Sequence, residues 1–189
     1  MYDIKEIQSG KVTNLITYSK VLPKTDKPQK MRLYASLDGD SFFAENEWEM
    51  YLFPKTKKEI PENTEILYNA EEEQLFSLLE QGKNIVLFGA EPFVSLPTSF
   101  RISLAGRSSG NLATVIYKHP ILKDFPHEGF CGWQFTRMLE GGSAVCFESD
   151  KAAFLPIIEV ASTHKCAVRQ AALFEYRAIN GKIIVCGFN

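Results

Sequence analysis

The sequence predicts an α/β protein in which a mostly parallel sheet ends in an antiparallel hairpin and is preceded by a few β-strands. Residues 65–89 have the pattern of a strand, a helix and a strand with short joins, and such a unit connects parallel strands. Asn180 and Gly181 separate two apolar runs, which is a strong hairpin signal. Residues 31–53 alternate between apolar and polar side chains around a polar turn, as half-solvated antiparallel strands do.

The crossover helix is predicted over residues 70–81. Asn69 is the predicted N-cap, and Glu72 stands at the reciprocal position of a capping box. Leucine and phenylalanine recur on one side of the helix, and Gly82 follows where a helix commonly ends. Residues 84–89 are largely apolar, which is typical of a strand covered on both faces.

Shorter runs predict the remaining elements of this region. The predicted strands are residues 112–117, 143–148, 156–161, 169–178 and 182–188, and a short helix is predicted over residues 132–139. The last two strands are the arms of the hairpin. Because both arms are apolar on both faces, we expect the hairpin to lie within the sheet.

A charged, proline-bounded stretch at residues 55–62 predicts a linker. Residues 1–54 form the β-segment, with a third strand expected within residues 12–22, and residues 63–189 form the α/β domain. Three strands leave an apolar face that needs a partner sheet. The β-segment is therefore expected to be part of a larger sandwich.

Charge and hydropathy exclude two classes of partner. Lys and Arg number 21 against 23 Asp and Glu in 189 residues, so the chain lacks the basic excess that binds nucleic acid. No run approaches the roughly 18 apolar residues of a membrane span, so no membrane is expected as a partner. The N-terminus lacks the pattern of a secretory signal. A cytoplasmic location follows if the chain is full-length, and a secreted or periplasmic one if it was excised from an exported precursor.

The cysteines predict neither a disulfide framework nor a metal site. Cys131, Cys146, Cys166 and Cys186 stand far from CxxC spacing, and free thiols are expected. No two histidines share a metal-ligand spacing. Neither G-x-G-x-x-G nor G-x-x-x-x-G-K occurs, so no cofactor is expected.

Cys131 is the nearest match to a catalytic nucleophile. A nucleophile elbow places Ser or Cys between glycines on a sharp turn from a strand to a helix. Here Trp133 stands where the second glycine belongs, and a proline-broken loop rather than a strand precedes Cys131. The sequence therefore predicts no catalytic residue.

His127 and Glu128 are predicted ligand contacts, because they lie in a loop beside the expected sheet rim, where ligands bind in open α/β folds. The alternative is that both are solvated loop residues. His119 precedes a proline and is predicted to end a strand. Glu159 and Glu175 are carboxylates within apolar strands, and we expect outward positions or buried ion pairs for them.

Three aromatic residues, Trp133, Phe130 and Phe135, offer a platform on which a sugar could stack. The alternative, favoured here, is that Trp133 packs the short helix onto the sheet as part of the core. Trp133 is retained with His127 and Glu128 as a predicted ligand-binding residue.

The order of several segments resembles the C-terminal region of family 2-type, β-galactosidase-like bacterial glycoside hydrolases. The segments are residues 46–54, 119–126, 155–158 and 173–187, with Trp133 among them. The resemblance implies an immunoglobulin-like sandwich followed by a flavodoxin-like domain of the class I glutamine amidotransferase type. In that family the catalytic carboxylates belong to a separate barrel, so no catalytic residue is implied for this chain.

The resemblance implies an accessory, non-catalytic module of an enzyme that acts on galactosides or on plant or host polysaccharides. Its expected roles are packing, oligomerisation or shaping of the sugar cleft, and its expected partner is a catalytic domain of the same or a longer polypeptide. A carbohydrate and a second copy of the chain are further candidate partners. One alternative is an amidotransferase-like or trehalose-utilisation-like enzyme that uses His127, Glu128 and Cys131. Another is a carbohydrate-binding module with Trp133 exposed.

Overall fold

The computed structural model describes residues 4, 9–55, 59–99, 113–147, 155–161, 168–178 and 180–189. Within these residues the strands and helices are, in chain order, β1 Gln29–Gly39, β2 Phe42–Leu52, β3 Thr64–Tyr68, α1 Glu72–Glu80, β4 Asn84–Phe88, β5 Ser95–Pro97, β6 Ala113–Ile116, α2 Thr136–Leu139, β7 Ser143–Phe147, β8 Leu155–Ala161, β9 Arg169–Ala178 and β10 Gly181–Cys186. Two short 3₁₀ turns, Pro120–Leu122 and Trp133–Phe135, lie between β6 and α2.

The fold is mostly β, and the predicted α/β, flavodoxin-like fold class is wrong. In the described part of the chain, β4 pairs parallel with β3 and with β10, and every other pairing is antiparallel. A flavodoxin-like sheet needs a crossover, usually a helix, between successive parallel strands. Among these residues such a helix connects β3 to β4 alone. The error came from extending this one crossover to the whole sheet.

The predicted β-α-β unit itself is confirmed. β3 and β4 pair parallel from Thr64 opposite Asn84 to Tyr68 opposite Phe88. The helix start was placed too early, because Asn69 is not its N-cap. Asn69 has a φ of 54°, and its N–H donates to the carbonyl oxygen of Phe88 at 2.9 Å.

The C-terminus of α1 is where the sequence placed it. Gly82 has a φ of +76° and donates its N–H to the carbonyl of Leu79, while the N–H of Lys83 donates to that of Leu78. These two bonds form a Schellman motif, which needs a residue in the left-handed region and so favours glycine. The end of the helix is therefore set by Gly82.

The eight-stranded sheet is assembled on β9. β10 and β7 pair one after the other along one edge of β9, and β8 pairs along the opposite edge. Gly187, which follows β10, connects β9 with β7. Its N–H donates to the carbonyl of Ala172 at 2.8 Å, and its own carbonyl accepts from the N–H of Ser143 at 2.6 Å. The predicted hairpin of β9 and β10 is confirmed, and it lies within the sheet as expected.

Both faces of this sheet are covered. α1 packs on one face, and the segment of residues 117–140 packs on the other. The core beneath α1 comprises Leu75, Leu79, Ile85, Leu87, Ala90, Val145, Ala171, Phe174, Ile183 and Val185. The opposite core comprises Ile116, Leu122, Cys131, Phe135, Leu139, Ala144, Ile157, Ile158, Val160, Ala172 and Leu173.

β1 and β2 form a separate two-stranded ribbon, as predicted for residues 31–53. They pair antiparallel from Gln29 opposite Leu52 to Gly39 opposite Phe42. On one side, Arg32 lies near two glutamates of β2, and the hydroxyl of Tyr34 donates to a third. The other side is apolar, and we call it the ribbon's apolar face; it comprises Met31, Leu33, Leu37, Trp48 and Met50.

One predicted strand is absent and one observed strand was not predicted. Residues 12–22 form no strand. β5 is a three-residue strand that pairs with β7 and ends in Pro97. Proline usually argues against a strand, although it is tolerated at the edge of a sheet. Pro97 therefore hid this short strand in the sequence.

We expect Gly187→Ala to destabilise the protein by about 1–3 kcal/mol, the usual cost of overpacking. A Cβ at this position would lie 2.0 Å from the carbonyl oxygen of Ser143, so the junction between β10 and β7 would have to open. Urea unfolding measures the change. Gly39→Ala is the control, because a Cβ there meets only the exposed side chain of Phe42, which can move aside. Equal shifts in the two variants would contradict this account of the junction.

Candidate functional site

A cleft of about 310 Å³ lies between the end of β2 and the segment of residues 128–134. Its volume is at the small end of the range for ligand sites. Its lining residues are Glu49, Tyr51, Glu128, Phe130, Cys131, Gly132, Trp133 and Gln134. Two predicted ligand-binding residues, Glu128 and Trp133, thus lie in one cleft. His127 is adjacent in sequence but is not among its lining residues.

Backbone and side-chain hydrogen bonds fix the segment that forms the cleft floor. The Nδ1 of His127 accepts the N–H of Gly129 at 3.2 Å, and the carbonyl of Gly129 accepts the N–H of Ile116 at 2.8 Å. The N–H of Cys131 donates to the hydroxyl of Thr114 at 2.9 Å. β6 therefore holds the floor at two points, and the role of His127 is to close a turn.

One lysine joins the ribbon to the cleft floor. The Nζ of Lys30 lies 2.7 Å from Oε1 of Glu49 and 2.8 Å from Oε1 of Glu128. The hydrogen bond from Lys30 lowers the pKa of Glu128 below its usual value. Glu128 is therefore ionised at neutral pH.

Ring stacking supports the same junction. The rings of Phe53, just after β2, and Phe125 are 5.3 Å apart between centroids. Phe125 in turn lies 4.9 Å from the buried ring of Phe135. The ribbon is thus connected to the core through a chain of three aromatic rings.

The three candidate platform aromatics have different environments. Trp133 is 72% exposed and Phe130 is 50% exposed, whereas Phe135 is 1% exposed. The interpretation of Trp133 as a core residue was therefore wrong, and Phe135 fills that position. Two large aromatic surfaces remain open at the cleft.

Cys131 has the surroundings of a structural thiol. It is buried, and burial raises its pKa to about 11, against a smaller opposing effect of its hydrogen bond with Thr114. In the described part of the chain, no histidine hydrogen-bonds to this thiol. A nucleophilic cysteine needs a lowered pKa or an adjacent base, and neither condition is met here.

The other residues considered from the sequence lie away from the cleft. The Nε2 of His119 is 3.6 Å from Glu175, which also lies near Arg177 and Lys182. Glu159 accepts from the hydroxyl of Tyr117 at 2.6 Å and from Arg169 at 2.9 Å. Glu159 and Glu175 are thus partly buried and form ion pairs with exposed arginines, Arg169 and Arg177.

The cysteines form no disulfide in the part of the chain that the structure describes. This holds for Cys131, Cys146 and Cys186, while Cys166 and His164 lie outside the described residues. Where the chain is described, no three His, Cys, Asp or Glu residues could hold a metal ion together, and no helix is long and apolar enough to span a membrane.

Sequence reasoning missed the wall of the cleft. Glu49 and Tyr51 lie on the same side of β2, as the alternation of the strand predicts. Glu49 is also an ion-pair partner of Lys30. Which segment this side faces depends on contacts between residues distant in sequence, such as that of Lys30 with Glu128, which are 98 positions apart. Gln134 was missed because a single glutamine next to aromatic residues carries no signal.

We expect the Cys131 thiol to be alkylated about 100-fold more slowly at pH 8 than an ordinary thiol, because its pKa lies about two units higher. Iodoacetamide labelling followed by peptide mass spectrometry measures the rate without any substitution. The same peptide in urea is the control. Equally fast labelling in native buffer would revive the hypothesis of a cysteine nucleophile.

A family model matches residues 66–189, from within β3 to the end of the chain. The matched region includes the cleft floor, residues 128–134, whereas Glu49 and Tyr51 lie before the matched region. No curated protein matches the sequence. The chain belongs to the family described as "Domain of unknown function (DUF8487)".

Proposed function

We propose that the chain is a non-catalytic accessory module of a carbohydrate-processing protein and that it binds sugar in the cleft. The observation that carries the proposal is the pair of exposed aromatic rings, Trp133 and Phe130, beside the polar groups of the lining. A carbohydrate was among the partners expected from the sequence. Exposure of Trp133 was the feature required by the carbohydrate-binding alternative.

The chemistry of a sugar suits these groups. The face of an aromatic ring carries partial negative charge, and the C–H groups on one face of a pyranose carry partial positive charge. Stacking therefore orients the sugar on Trp133. The hydroxyl groups of the sugar then point away from the indole ring. There the side chains of Glu49, Tyr51 and Glu128 accept or donate hydrogen bonds.

The sugar-binding part of the proposal rests on the cleft, whereas the accessory role comes from the resemblance to glycoside hydrolases. The resemblance implied a flavodoxin-like fold, and that implication is wrong. The environment of Cys131 favours a binding module over the amidotransferase-like enzyme, since the thiol is buried and its pKa is raised.

A packing role for the ribbon is a second candidate function, favoured by its apolar face. Leu33 is 40% exposed and Trp48 is 46% exposed on this face. A two-stranded ribbon is marginally stable alone and gains stability when its apolar side is covered. The expected partner is the catalytic domain of the same or a longer polypeptide.

Trp133→Ala is expected to weaken glycan binding by about 10- to 100-fold, the loss typical of an aromatic hot spot. A glycan array identifies the bound sugars, isothermal titration calorimetry compares the affinities of the unsubstituted chain and the variant, and fluorescence titration reports contact of the sugar with the indole. The chain has two tryptophans, so Trp48→Phe makes Trp133 the sole indole reporter.

Trp133→Phe, in which Trp48 is the sole indole, is the matched control and is expected to show no spectral change on addition of sugar. Absence of binding to every glycan would overturn the proposal. Unchanged affinity in Trp133→Ala would overturn the assignment of the cleft.

Methionine oxidation tests the packing role. We expect hydrogen peroxide to oxidise Met50 readily in the isolated chain, since it is 37% exposed, and slowly in a longer polypeptide that carries a catalytic domain. Met138 is the control, because it packs against the core in the chain itself. Equal oxidation of Met50 in both proteins would argue against packing through this face.

A further inference from the structure

We infer that the cleft selects sugars rich in hydrogen-bond donors, neutral or amino sugars, and excludes acidic ones. The inference rests on the proposed sugar-binding function and deepens it. Three acceptor groups of the lining carry it: the carboxylates of Glu49 and Glu128 and the side-chain oxygen of Gln134.

The first acceptor is an oxygen that lacks a partner. The Nε2 of Gln134 donates to the carbonyl of Pro126 at 2.7 Å, and this bond fixes which end of the amide is the oxygen. The Oε1 of Gln134 is buried and accepts no hydrogen bond in the described part of the chain. It lies against the Cα of Gly132, where a Cβ would come within 2.7 Å of it. A buried acceptor without a partner is unfavourable, so a ligand whose donor displaced the atoms that cover this oxygen would gain a bond there.

The second and third acceptors are carboxylates with spare capacity. Lys30 contacts the Oε1 of both Glu49 and Glu128, and Arg32 lies 3.8 Å from the same atom of Glu49. An ionised carboxylate accepts several hydrogen bonds and donates none, so both groups can accept further bonds from hydroxyl or ammonium donors.

The charge around the cleft supports the same selection. The lining residues include two carboxylates and no lysine or arginine. The nearby cations, Lys30 and Arg32, are engaged by three carboxylates, those of Glu47, Glu49 and Glu128. This cluster keeps a net charge of −1, and each of its cations already lies beside two carboxylates. Ammonium groups gain a charge-assisted bond, while carboxylates meet repulsion.

The test is a glycan array that carries neutral, amino and uronic acid oligosaccharides, followed by titration of the Trp48→Phe chain. Only neutral and amino sugars are expected to bind. Preferential or equal binding of uronic acid oligosaccharides would overturn the selectivity and leave the proposed function intact. Binding of no sugar at all would overturn both.

An isosteric double variant that removes two charges gives the second arm. Glu49→Gln combined with Glu128→Gln is expected to weaken binding of a glucosamine oligosaccharide about tenfold and to reduce the discrimination against uronic acids. Glu45→Gln combined with Glu47→Gln is the matched control, since it also removes two charges and neither residue lines the cleft. An equal effect of the control would show that the selection comes from overall charge, and this would overturn the assignment to the cleft acceptors.

Discussion

The pairing of β9 with three other strands is the constraint on which the rest of the molecule depends. β8 uses one edge of this ten-residue strand, and β10 and β7 share the other. Gly187 makes the sharing possible, because its backbone bonds to both Ala172 and Ser143 where a Cβ would collide. The segment that forms the cleft floor then packs on the face of this sheet through Phe135 and Leu139.

Local patterns predicted much of the sheet. The turn at Asn180 and Gly181, the helix end at Gly82 and the alternation of residues 31–53 each depend on neighbours in sequence, and each was confirmed. The sheet class was not predictable in this way. Parallel and antiparallel pairing depend on which strands meet, and the chain carried a helical pattern in one connection that suggested a repeating unit.

In the candidate site, too, some features could be predicted from sequence neighbours and others depend on tertiary contacts. Glu128 and Trp133 were proposed from composition and position in a loop, and they do line the cleft. The exposure of Trp133 was predicted wrongly, because a tryptophan next to a short helix usually packs inward. Phe135, two residues later, takes the inward position instead. The choice between these two rings depends on the tertiary packing around Phe125, which no local pattern encodes.

The cleft has two walls of different origin. Its floor, from Glu128 to Gln134, lies in the family-matched region and is held by β6 and by the core. Its other wall, Glu49 and Tyr51, belongs to the ribbon and reaches the floor through Lys30 and the ring of Phe53. Exposed ion pairs contribute little stability, so the ring stack carries more of the connection. In the proposed arrangement the floor would carry the aromatic surface and two of the acceptors, Glu128 and Gln134, and the ribbon would add Glu49 and Tyr51 to the groups that bind the substituents of a sugar.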